Sequence, residues 1–124
     1  MAPTSKTFTS RVFNIAGFLL GGTATIVLAT PPSLFYSLLE LDRDQKSCMT
    51  RAHAAVASEV SGTIERRTDN VSLVNEDFNI GVHCRATGRK KSFATIVVAH
   101  RTSFDEARGV ALNIRRGMET GVFE

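Results

Sequence analysis

The sequence predicts an α+β domain, an antiparallel meander of three or four strands with two helices packed on one face, preceded by an apolar N-terminal leader helix. Three observations predict it. Phe78-Asn79-Ile80-Gly81-Val82-His83-Cys84 alternates apolar and polar residues, the period of a half-buried strand. Ser103-Phe104-Asp105-Glu106 has the form of a helix-capping box, and Phe104, Ala107, Val110, Ala111, Ile114 and Met118 then follow the helical period. The strand candidates are joined by segments too short to hold a crossover, so neighbouring strands must run antiparallel.

From the N-terminus, no acidic residue precedes Glu40, and the eighteen residues Val12–Ala29 are uncharged and mostly apolar behind Lys6 and Arg11. That is the layout of a secretory signal, with Val27 and Ala29 at the positions a signal peptidase reads and Pro31-Pro32 just beyond. The run is also long enough for an uncleaved membrane anchor. Its Ser/Thr-rich, basic beginning also fits an organelle transit peptide. Residues 1–29 are thus expected to be a signal peptide or membrane anchor, 30–46 a linker or membrane-proximal segment, and 47–124 a single domain. Signal and anchor both place the domain outside the cytoplasm, in the periplasm, secreted or held at a membrane.

Within residues 30–46, Ser33–Leu41 carries Leu34, Leu38 and Leu41 at helical spacing and reads as a short helix. Asp42–Lys46 follows as a solvated junction. Ser47–Val60 reads as a helix with Cys48, Ala52, Ala55, Val56 and Val60 on one side and Ser61-Gly62 as its stop. Thr63–Thr68 and Val71–Asn75 are strand candidates on either side of the turn pair Asp69-Asn70. Asn75-Glu76-Asp77 connects to the strand Phe78–Ala86, the loop Thr87–Lys91 follows, and Ser92–His100 is the strongest β-forming run. Gly117 or Gly121 ends the final helix.

The net charge of +3 is modest. Lys6 and Arg11 belong to the leader, which leaves thirteen basic against twelve acidic residues, a balance that argues against a nucleic-acid partner. Cys48 and Cys84 both fall on core faces, of a helix and a strand that should pack together, so an exported chain would join them in a disulfide. A zinc site would need Cys48, His53, His83 and Cys84, but His83 and Cys84 project to opposite faces of one strand and Cys48 and His53 lie about 140° apart on a helix. No metal or other cofactor is expected. There is no Cys-X-X-Cys pair and no Gly-X-Ser-X-Gly elbow, and Ser103 and His100 read as a helix cap and a strand end. No catalytic residue is therefore assigned.

Two surface features remain. Arg85, Arg89, Lys90 and Lys91 crowd one loop, with His83 on the sheet face of Arg85, a cluster that could hold an anion or small ligand. Phe93–Ala99 is apolar in both alternating sets, so one set is left on the open side of the sheet; Phe93, Ile96, Val97 and Val98 are its candidate contact residues. A protein partner, self-association or the Ser33–Leu41 segment would cover them. The ordering of Cys48, Cys84, Ile96-Val97-Val98-Ala99 and the helix start Asp105-Glu106-Ala107-Arg108 resembles uncharacterised small exported bacterial proteins with a two-cysteine helix, meander, helix domain. That resemblance implies export and a disulfide and supplies no active site. The expectation is a small accessory domain that binds protein rather than an enzyme, with ligand binding through His83, Arg85 and Arg89–Lys91 as the alternative.

Overall fold

A computed structural model describes residues 32–122, and the leader proposed for residues 1–29 lies outside the described residues. The elements are β1 (Ser33–Leu41), α1 (Gln45–Glu59), β2 (Thr63–Arg66), β3 (Asn70–Val74), β4 (Phe78–Gly88), β5 (Lys91–His100) and α2 (Phe104–Thr120). All strands are antiparallel neighbours in the order β1-β5-β4-β3-β2, with both helices on one side. The α+β class and the four-strand meander β2 to β5 are as the sequence predicts.

The correction lies at Ser33–Leu41. This segment is not helical: it forms the fifth strand and pairs with β5 from Ser33↔His100 to Leu41↔Ser92. Its leucines at helical spacing also fit an extended segment with apolar residues on both sides, and the hydrogen-bonding edge of β5 selects the strand. Ser33–Leu41 is therefore part of the same sheet as the strands that follow residue 47. Asp42–Lys46 is less of a linker than expected, because Asp44 caps α1 by accepting from the Ser47 N–H at 2.8 Å.

The core lies between helices and sheet. Ile80, Val82 and Cys84 of β4, Ala94, Ile96 and Val98 of β5, and Val71 and Leu73 of β3 meet Cys48, Ala52, Ala55 and Val56 of α1 and Ala107, Ala111, Ile114 and Met118 of α2. Two alanines on the buried stripe of α1 let its backbone approach the sheet. The Cys48–Cys84 disulfide, Cα atoms 6.1 Å apart, fastens α1 to β4 in the middle of this layer. Gln45 adds a second tie, its Nε2 donating to the Cys84 carbonyl at 2.8 Å.

At the start of α2 the capping box forms by half. Ser103 Oγ accepts from the Glu106 N–H at 3.1 Å, but the Ser103 N–H donates at 2.9 Å to His100 Nδ1 and not to the Glu106 carboxylate. His100 also accepts from the Thr102 N–H and meets the Phe78 ring edge-on at 4.7 Å, so it is the buttress of the β5-to-α2 turn. The far end of α2 closes on Gly121 at φ 75°, in the left-handed region, and Arg51 from α1 donates to the carbonyls of Met118 and Glu119. Burial, and then the neighbouring charge of Arg43, lower the Arg51 pKa from its ordinary value, and it keeps its charge.

Replacing both cysteines by alanine should lower unfolding stability by about 4 kcal/mol, the chain-entropy value for a loop of this length, as measured by urea denaturation. Gly121→Ala should cost about 1 kcal/mol by the same assay, because the new Cβ meets Arg51 Nη2 at 2.8 Å and the backbone is already left-handed.

Candidate interaction face

With the helices on one side, every second residue of the sheet faces the other way. On β5 the outward set is Phe93, Thr95, Val97 and Ala99, each half-buried, while Ile96 and Val98 are fully buried under the helices. Two of the expected contact residues are thereby corrected: Ile96 and Val98 belong to the core, and only Phe93 and Val97 are presented. β1 lies beside β5 in the same plane and does not cover it. It adds Leu34, Tyr36 and Leu38, which are 54%, 63% and 47% exposed. An apolar strip two strands wide results, with Tyr36 opposite Val97, Leu38 opposite Thr95 and Leu34 opposite Ala99.

The other half of the same face is mostly polar, with Val74 its exposed apolar residue. Here β4 presents Asn79, Gly81, His83 and Arg85, and β3 presents Asn70, Ser72 and Val74. Gly81 sits beside Val97, and a Cβ placed on it would meet nothing within 4 Å, so the face has a notch there. Arg85 lies opposite Phe93, which lies in turn opposite Glu40 of β1.

The two edges of the sheet differ. On the β2 side the last strand has four residues and ends at Arg66 with Arg67 just beyond, an edge too short and charged to recruit another strand. On the β1 side Arg115 of α2 donates to the Leu38 carbonyl at 2.8 Å and to Ser37 Oγ at 3.0 Å, and is near Glu119 at 3.8 Å. The helix thus occupies part of this edge with a side chain, which leaves the face as the larger unpartnered apolar surface.

The five residues of the expected anion cluster do not converge. His83 Nε2 is 3.2 Å from Asp69 Oδ2, and Lys91 Nζ is 3.5 Å from Asp42 Oδ1. Arg85 is exposed on the open face, while Arg89 and Lys90 form the exposed tip of the β4–β5 hairpin; these three have no acidic partner within 4 Å among the described residues. The shallow cavity beside the hairpin, about 160 Å³ and lined by Glu40, Leu41, Asp42, Thr87, Lys91, Ser92 and Phe93, takes only Lys91 from the set. The sulfurs of Cys48 and Cys84 are bonded to each other and unavailable as metal ligands, and among the described residues no three of His, Cys, Asp and Glu gather as a metal site.

Sequence reasoning missed Leu34, Tyr36 and Leu38. The signal was present in their alternation with Phe35, Ser37 and Leu39, since a nine-residue apolar stretch between prolines and Asp42 has strand length. No protein-family model, no curated protein and no solved structure was found to match this chain.

Val97→Glu should leave the far-ultraviolet circular dichroism and the disulfide intact and change stability by under about 1 kcal/mol, since Val97 points away from the core. Val98→Glu, one residue along and fully buried, should prevent folding.

Proposed function

We propose that this protein is a non-catalytic accessory domain, exported or tethered to a membrane by its N-terminal segment, that docks protein through the apolar half of its open sheet face. The observation that carries the reading is the placement of β1, which widens the apolar strip on β5 instead of hiding it. One-sided antiparallel sheets usually show polar residues to water, and a strip holding Leu34, Tyr36, Leu38, Phe93 and Val97 together is the surface a protein contact removes from water. Aromatic and aliphatic side chains at its centre, with the charged Glu40 and Arg85 at one end, follow the anatomy of such contacts.

Export draws on different support. A disulfide joining the two cysteines is typical of oxidising compartments, and the basic, then apolar, residues 6–29 have the layout of an export signal or anchor. The rival reading, an anion or small-ligand site built from His83, Arg85 and Arg89–Lys91, is less well supported because two of the five are engaged by carboxylates and, among the described residues, the cavity beside the hairpin takes only Lys91 from the set.

Cysteine alkylation in the native host tests the docking. A Leu38→Cys variant of the full chain should react slowly with a maleimide at native expression level and rapidly after dilution into detergent. A control at Arg108→Cys, on the exposed side of α2, should react rapidly in both. Equal, rapid labelling of Leu38→Cys in both conditions would show the strip uncovered and overturn the reading.

A further inference from the structure

The open face is self-complementary, and the property lies in its register. Strand β5 is flanked by β1 and β4, so each outward residue of β5 is the midpoint of a row. Val97 has Tyr36 on one side and Gly81 on the other, and Phe93 has Glu40 on one side and Arg85 on the other. Each flanking residue stands one strand spacing, about 4.8 Å, from the centre. A row with a projecting ring at one end and a notch at the other fits its own reversed copy. So does a row with a carboxylate at one end and a guanidinium at the other.

We infer that the docking partner is a second copy of this chain, seated face to face with the first about a two-fold axis that runs along β5. This rests on the docking reading above and names its partner. The axis exchanges the two ends of every row. Tyr36, 63% exposed, arrives over Gly81 of the second copy, where a Cβ would meet nothing within 4 Å. Glu40 arrives over Arg85, and by symmetry both contacts form twice. Neither Glu40 nor Arg85 has an oppositely charged partner within 4 Å among the described residues, so both are available for this pairing. The row between them sets Leu38 over His83 and the row beyond Val97 sets Leu34 over Asn79, and none of these rows opposes two like charges.

The alternative axis, across the strands, would stack Tyr36 on Tyr36 and leave the Gly81 notch empty. The axis overlaps β1, β5 and β4 of the two copies, while β3 and β2 overhang. Three strands of about nine residues at ordinary spacings give a projected face of roughly 440 Å² per copy, which side-chain relief raises toward the roughly 600 Å² per partner at the lower end of specific interfaces. The two hairpin tips, with Arg89 and Lys90, end side by side in water at one end of the assembly, where salt screens them.

The test uses two differently tagged full-length copies expressed together in the native host, with copy-to-copy co-purification as the readout. Wild-type copies should co-purify. Glu40→Arg paired with itself, and Arg85→Glu paired with itself, should each co-purify at least about ten-fold less, since each sets like charges against one another twice. Glu40→Arg mixed with Arg85→Glu should recover the wild-type level, because both contacts are then again between opposite charges; the recovery also shows that both variants fold. Failure of wild-type copies to co-purify, or a mixed pair as weak as the like pairs, would overturn the inference. If the copies stay apart while Leu38→Cys remains shielded in cells, a different protein covers the strip: the docking reading stands and self-pairing falls. If Leu38→Cys is freely labelled, both fall.

Discussion

The Cys48–Cys84 bond decides which side of the sheet is the inside. Cys84 shares its face of β4 with Ile80 and Val82, and the bond holds α1 against that face at its centre. Once α1 is there, α2 packs beside it over β5 and β1, and the helical layer is complete. Everything on the other side of the sheet is then left to water or to another molecule. A domain of about ninety residues buries only some 60–65% of the surface of its unfolded chain, so a covalent tie in the middle of the layer is a substantial fraction of the stability available. Because the tie joins elements 36 residues apart, it also restricts the unfolded chain over most of the helix and meander.

The consequence for β5 is a conflict between strand and surroundings. A strand apolar on both faces suits the centre of a sheet covered on two sides, yet here helices cover one side only. β1 does not resolve the conflict. It closes one edge of β5 by hydrogen bonding and brings three more apolar side chains to the open face. The molecule has thus removed backbone polar groups from solvent at the cost of more exposed apolar area. A second surface over the strip resolves both, which is why a contact between proteins accounts for this face better than a ligand site does. The basic hairpin lacks this internal logic: its charges are either neutralised locally or directed into solvent.

Much of the fold was legible because local chemistry and tertiary need agree. The alternation of Phe78–Cys84, the alanine-lined stripe after Cys48, the Asn75-Glu76-Asp77 turn and the Ser103 cap each have one physical solution, and each occurs. The fifth strand was illegible for the opposite reason. Ser33–Leu41 has apolar residues at both helical and strand spacing and no β-branched residue to break the tie, and its partner His100 lies 67 positions away. Glu106 was expected to complete the capping box, but a histidine ring already bonded to the turn satisfies the Ser103 N–H. For the site, sequence identified β5 as two-faced without saying which set was outward. The disulfide settles that, placing Val97 outside and Ile96 and Val98 within.

The central claim is that the outward residues of β1 and β5 have no cover within one copy and are covered by protein. Methyl resonances of the full chain, recorded with a soluble paramagnetic agent over a range of protein concentrations, test it most directly. At high dilution the methyls of Val97, Leu34 and Leu38 should be strongly broadened and those of Ile96, Val98 and Val82 spared; as concentration rises, the first group should become protected and the second should not change. Unchanged strong broadening of Val97, Leu34 and Leu38 at every concentration, or broadening of Ile96 and Val98, would contradict the account.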